Sequence, residues 1–226
     1  MIEEINEYRK LSKIFKDNGF NLYLVGGSVR DYLLEKVFFD IDLATDATPE
    51  DMYKFIKGDF SFSKYGNVKI KLLNKTVDIT TFRKEKSYLD RRHPNIIKFI
   101  KSMKADSFRR DFTINAMYMD EDLNIYDFHK GRLDILSQKI QFIGNASKRI
   151  KEDPLRILRA IRFSLDLGFN ISRKVEKQMI KKSHLLSEIN SEKILMELKK
   201  IKNKDFGAIY KIFKKFNIHN LLDVLE

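Results

Sequence analysis

The chain contains no cysteine, which excludes both a disulfide framework and any thiolate zinc site. Its four histidines, His93, His129, His184 and His219, are scattered without ligand spacing, so the metal to expect is one bound by carboxylates. No stretch approaches the roughly 18 consecutive apolar residues of a membrane span. The opening MIEEINEY is acidic and mixed rather than basic and then apolar, so a secretory leader is not expected and a cytoplasmic location is.

What is present is enough for a core. The chain has 226 residues, 43% of them hydrophobic, which suits one large domain or two small ones and excludes a disordered chain. Its net charge is +12, unevenly spread: residues 147–226 carry 19 Lys+Arg against 10 Asp+Glu. Such a field attracts polyanions, of which nucleic acid is the usual one. A general preference for lysine accounts for the same excess, so composition leaves the partner open.

The most informative stretch is LYLVGGSVRDYLLEKVFFDIDL, residues 22–43. An apolar run too short for a helix reads as a strand and stops at Gly26-Gly27, where the absence of Cβ lets backbone approach a ligand. Ser28 suits a helix cap, and Arg30 on the first turn adds a positive charge beside unpaired N–H groups, an arrangement fit for a triphosphate. Asp40 and Asp42 follow, separated by Ile41. On a strand both carboxylates point to one face, about 6 to 7 Å apart at Cα, and such a like-charged pair calls for a cation. Oxygen ligands beside phosphates suit Mg²⁺.

Flanking segments supply further candidates. Glu3 to Asn18 has helical spacing ending at Gly19, and Thr48-Pro49-Glu50 opens a helix to about Lys57. Lys64–Leu73 and Thr76–Phe82 read as strands joined at Asn74-Lys75, and the second carries Asp78, a candidate third carboxylate or a plain partner for Arg83. In FRRDFTINAM, residues 108–117, Arg109 and Arg110 supply charge and Asp111 can accept hydrogen bonds from sugar hydroxyls. Asp153-Pro154 starts a helix with Leu155, Leu158, Ile161 and Leu165 on one stripe and Arg156, Arg159 and Arg162 along another side. Helices over Ser172–His184, Ser191–Lys202 and Phe206–Phe216 follow.

GGSVRD followed by DIDLAT resembles the first motif of class II tRNA nucleotidyltransferases (CCA-adding enzymes) and poly(A) polymerases, within the polymerase-β-like nucleotidyltransferase superfamily. FRRDFTINAM resembles the motif that binds the nucleotide's triphosphate and ribose, with Arg110, Asp111 and Asn115 at matching positions. Gly131 with Asp134-Ile135 and Lys139 resembles a third motif, and Asp153 and Arg156 match the family's EDxxR, with Arg159 and Arg162 following on the same helix. Arg91-Arg92-His93-Pro94 lies in a segment similar to the flexible loop of members that add the final A. INSEKILMELKK resembles the last motif, with Lys193 where Arg is usual, and Asp78 stands where Glu is commoner.

The resemblance implies an α+β nucleotidyltransferase head with a mixed β-sheet over residues 1–146 and an all-α neck over 147–226. It implies template-independent addition of CMP and AMP from CTP and ATP to the tRNA 3′ end, with pyrophosphate released. Asp40 and Asp42 would hold Mg²⁺, Asp78 would assist catalysis, and Gly26, Gly27 and Arg30 would seat phosphates. Asp153 only accepts and Arg156 only donates, which complements the base edges of cytosine and adenine. Poly(A) or A-only addition uses the same chemistry, and a catalytically silent RNA-binding module is the alternative of another class. Members of the family continue into helical body and tail domains beyond the neck.

Overall fold

The computed structural model describes residues 2–37, 41–86 and 96–225. These divide into two compact units, one running to Arg132 and one from Leu133 onward.

The first unit opens with α1 (Ile2–Asp17); of the apolar residues Ile5, Tyr8, Leu11, Ile14 and Phe15 at helical spacing, all but Ile14 are buried, and Ile14 is exposed. Tyr8 is fully buried and donates its hydroxyl to the carbonyls of Leu22 and Met119, at 2.8 and 3.1 Å, tying the helix to the sheet beneath. Next come β1 (Leu22–Val25), α2 (Gly27–Leu33), β2 (Asp42–Thr45) and α3 (Pro49–Met52). Thr48 and Asp51 close a capping box at the start of α3. The helix expected to reach Lys57 stops at Met52, and the chain turns so that Phe55 packs edge-on against Phe15 at 5.2 Å.

A hairpin follows, β3 (Asn67–Leu72) and β4 (Lys75–Thr81), joined through Leu73 and Asn74, both at positive φ. The turn thus falls one residue earlier than expected. A second hairpin pairs β5 (Arg83–Lys86) with β6 (Ile96–Phe99), and α4 (Met103–Ser107) leads into β7 (Tyr118–Met119) and β8 (Ile125–Tyr126). β6 and α4 therefore occupy the later part of the segment Tyr88 to Asp106, which the resemblance likens to a flexible loop.

The main sheet runs β3-β4-β2-β1-β7-β8. All its pairings are antiparallel except β2 with β4, which are parallel and in register from Asp42↔Asp78 to Thr45↔Thr81. The alternation in β4 buries Val77, Ile79 and Thr81 and turns Asp78 and Thr80 to the other face. Val25, Ala44, Phe82 and Tyr118 pack together as a buried cluster.

α5 (Gly131–Leu136) spans the division. The second unit then contains β9 (Lys139–Ile140), α6 (Ala146–Glu152), α7 (Leu155–Leu167), β10 (Asn170–Ile171), α8 (Arg173–Lys182), α9 (Ser191–Leu198) and α10 (Phe206–Lys215). It is helical apart from one short parallel ladder, β9 with β10, which joins residues 133–146 to the helices that follow. Along α7, Leu155, Ile157, Leu158, Ala160, Ile161 and Phe163 are buried, and Gly168 ends the helix in the left-handed conformation.

Candidate active site

β1 delivers the chain to Gly26, which stands at φ 68°, ψ −126° as the N-cap of α2, a conformation only glycine adopts without strain. A Cβ at Gly26 would lie 3.1 Å from Oδ2 of Asp42, and one at Gly27 would lie 3.5 Å from Arg30 Nη2 and 3.7 Å from the same carboxylate oxygen. The turn is thus pressed against Asp42. Ser28 does not cap the helix: its hydroxyl accepts the backbone N–H of Asp42 at 2.9 Å and ties the glycine turn to the carboxylate strand.

Arg30 is held at both ends of its guanidinium. Nε and Nη2 bond Asp31 Oδ1 at 2.8 and 2.7 Å, and Nη1 donates to Asn115 Oδ1 at 2.8 Å. Arg30 and Asn115 are 85 residues apart, and their bond joins the glycine turn to the RRDFTIN segment.

Asp42 and Asp78 are direct neighbours across the parallel pair β2–β4, so their side chains leave the sheet on one face. Oδ1 of Asp78 is buried and has no hydrogen-bond partner among the described residues. A buried carboxylate oxygen without a donor is costly unless a ligand, cation or water completes it. Among the described residues no three acidic or imidazole groups gather at one point. Asp40 lies outside the described residues, as does the basic turn Arg91–Pro94.

Spacing alone had not singled out Asp106. It is fully buried and accepts from Arg83 N at 2.9 Å, Arg109 Nε at 2.8 Å, Arg110 Nη2 at 3.3 Å and the Tyr118 hydroxyl at 2.6 Å. Burial would raise its pKa, but Arg109 and Arg110 outweigh burial and hold it below the ordinary carboxylate value. Arg110 also donates Nε to Tyr118 at 3.0 Å. Burial opposes its charge, yet Tyr118, Asp106 and Asp42 together hold its pKa above the usual arginine value. The available signal was helical spacing, since Asp106 stands three and four residues before the two arginines. Asp111 accepts the N–H of Phe112 at 2.8 Å.

In the second unit, Asp153 ends α6, and its carboxylate accepts the N–H of Leu155, the first residue of α7, at 3.1 Å. Arg156 is buried, and its Nη1 makes both of its described bonds, to Arg149 O at 2.7 Å and Glu152 Oε2 at 3.1 Å. Arg159 and Arg162 flank the ring of Phe163 at 5.7 and 4.3 Å. Arg162 Nε donates to the buried Glu197 of α9 at 2.8 Å, so within this unit it joins two helices.

A mixed sheet with carboxylates on adjacent strands, beside a glycine turn and half-buried arginines, is the fold of a nucleotidyltransferase head. The family model described as the poly A polymerase head domain matches residues 22–141. A CCA-adding enzyme of Staphylococcus haemolyticus (strain JCSC1435) is 36% identical over 220 residues, covering 96% of this chain and 55% of that protein. Among solved structures, the Bacillus stearothermophilus CCA-adding enzyme in complex with CTP superposes with a TM-score of 0.80 at 36% identity, over 88% of this chain and 48% of that one. A tRNA nucleotidyltransferase complexed with a primer tRNA and an incoming ATP analog gives a TM-score of 0.76 at 29% identity, over 92% of this chain and 60% of that one. The chain belongs to the poly A polymerase head domain family. It spans about half the length of the curated relatives it matches.

Proposed function

We propose that this protein is a template-independent RNA nucleotidyltransferase that adds CMP and AMP from CTP and ATP to the 3′ end of tRNA, releasing pyrophosphate. The observation that carries the reading is the juxtaposition of Asp42 and Asp78 across β2–β4, with a buried Asp78 oxygen that has no partner among the described residues, near a glycine turn pressed against Asp42.

The residues suit a divalent cation. Asp42 offers a carboxylate beside the room left by two missing Cβ atoms, and Asp78 offers an oxygen that lacks a donor among the described residues. We assign Mg²⁺ to Asp42 with Asp40; when bound, it neutralises triphosphate charge and lowers the pKa of the attacking hydroxyl. Asp78 orients the RNA 3′ hydroxyl. Gly26 and Gly27 leave space for phosphate oxygens, and Arg30 and Arg110, both fixed by neighbours, present positive charge that need not reorganise as pyrophosphate leaves. Asp111 and Asn115 face the ribose.

In this reading the neck, residues 147–226, selects the base after the head, residues 1–146, has seated the triphosphate. Asp153 accepts the amino group of cytosine or adenine, while Arg156, whose bonds among the described residues all run through Nη1, offers Nη2 to the adjacent acceptor. Arg159 and Arg162 add positive charge along the same helix. Uracil and guanine place a carbonyl before the carboxylate and an N–H before the guanidinium, so both contacts turn repulsive. Asp153→Ala should therefore lower use of CTP and ATP by roughly tenfold or more and narrow their advantage over UTP and GTP. If it remains fully selective, Asp153 serves only the start of α7.

Among the described residues no helix is long and apolar enough to cross a membrane, and we assign the reaction to the cytoplasm. The deciding test is incubation with Mg²⁺, labelled CTP or ATP, and tRNAs ending in the discriminator base, C or CC. Stepwise completion of CCA supports the assignment. Extension by A alone, or a long A tract, would move it to A-only or poly(A) addition. No incorporation with any primer would leave a silent RNA-binding module.

A further inference from the structure

The second unit holds a cavity of about 280 Å³ lined by Lys151, Lys182, His184 and Leu185. At about 30 Å³ per water, it has room for several waters or one hydrated small anion. It forms where Lys151, near the end of α6, meets the end of α8 and the turn that follows, Ser183–Glu188, consistent with the packing of α6 on α8.

Lys182 is the unusual member. It is only 8% exposed. The other buried charged residues, Asp106, Arg149, Arg156 and Glu197, all sit in ion pairs. Among the described residues, no carboxylate pairs with Lys182 and none lines the cavity. The stem of Lys182 is buried while its ammonium opens onto the cavity, so an anion entering there meets a held positive charge that no described carboxylate already neutralises. A second lysine and an imidazole on the same small wall make the cavity attractive to negative charge and hostile to cations.

We propose that this cavity is a phosphate site, with Lys182 at its wall and Lys151 and His184 donating beside it. The site lies within the second unit and is independent of the nucleotide-transfer reading, since phosphate binding requires no turnover. Two sources carry the same chemistry, an internucleotide phosphate of an RNA strand and free inorganic phosphate. A lysine is a point charge with rotatable donors, so it accepts either without demanding a bidentate geometry.

The test uses the full chain as wild type, Lys182→Met and the exposed-site control Lys204→Met. Inorganic phosphate is titrated calorimetrically against chloride at constant ionic strength, and a labelled unstructured oligouridylate is followed by anisotropy over a salt series. Wild type should bind phosphate saturably, Lys182→Met should lose roughly tenfold or more, and Lys204→Met should match wild type. If RNA supplies the phosphate, Lys182→Met also weakens RNA binding, flattens the salt slope by about 0.7, and inorganic phosphate competes with RNA. If free phosphate is the occupant, phosphate binding falls while RNA binding does not change. Should Lys182→Met fail to fold by circular dichroism, Lys151→Met and His184→Gln take its place with the same readouts. Phosphate and RNA binding both within twofold of wild type, or equal losses in Lys182→Met and Lys204→Met, would overturn the proposal in favour of a diffuse positive field.

Discussion

At the scale of single residues, the two carboxylates on adjacent strands carry the most specific expectation. Asp42→Asn should reduce nucleotide incorporation at least a hundredfold while the melting temperature holds or rises, because a like charge beside Asp78 has been removed. A parallel fall of activity and melting temperature would point to a structural role instead. Asp106 gives a different signature. Its folded pKa is depressed, so the stability it contributes is present above about pH 4, the ordinary range of an unfolded aspartate, and is lost as pH falls through the folded value. Asp106→Asn keeps the shape but removes the carboxylate charge shared by Arg109 and Arg110, and should cost about 1 to 3 kcal/mol near neutral pH. Denaturant unfolding at pH 7 and pH 3 should show the gap between variant and wild type narrowing on acidification; a constant gap would contradict the assigned charge.

At the scale of elements, the turn between β1 and α2 does more than reverse the chain. Gly26→Ala introduces a Cβ 3.1 Å from the Asp42 carboxylate at a backbone angle that side chains rarely adopt. It should cost about 1 to 3 kcal/mol of stability and, by displacing Asp42, lower incorporation roughly a hundredfold. Urea melts and single-turnover assays on the same preparation separate the two effects. The turn was legible in the sequence because glycine pairs after a short apolar run have few other uses. Its cap was not. Ser28 reads locally as the residue that closes the helix, but its hydroxyl is taken by the Asp42 backbone, a partner 14 residues on. α3 fails to reach Lys57 for a related reason: helix propensity continues past Met52, but the aromatic contact of Phe55 with Phe15 competes with it.

At the scale of the whole molecule, the charge is concentrated late in the chain, where residues 147–226 hold 19 basic against 10 acidic side chains. RNA affinity should therefore weaken with salt. Each phosphate neutralised on a single strand adds about −0.7 to the slope of log K against log salt, so three contacts correspond to a slope of about −2. Anisotropy with unstructured RNA between low and physiological salt measures it, and a flat line would remove the second unit as an electrostatic partner for RNA.

Local signals in the sequence determined the strand and helix on either side of the glycine turn and most of the buried positions of α1 and α7. These are patterns of two to four residues, set by backbone geometry and legible at short range. Tertiary structure alone decided which of those residues meet. The parallel register of β2 on β4 sets Asp42 beside Asp78, and it depends on how the intervening hairpin folds back. Arg30 meets Asn115 across 85 residues, Arg162 finds Glu197 across 35, and Asp106 draws in Arg83 and Tyr118 along with the two arginines near it in sequence. Spacing specifies which face a side chain occupies; the partner it finds there is chosen by the packing of distant elements.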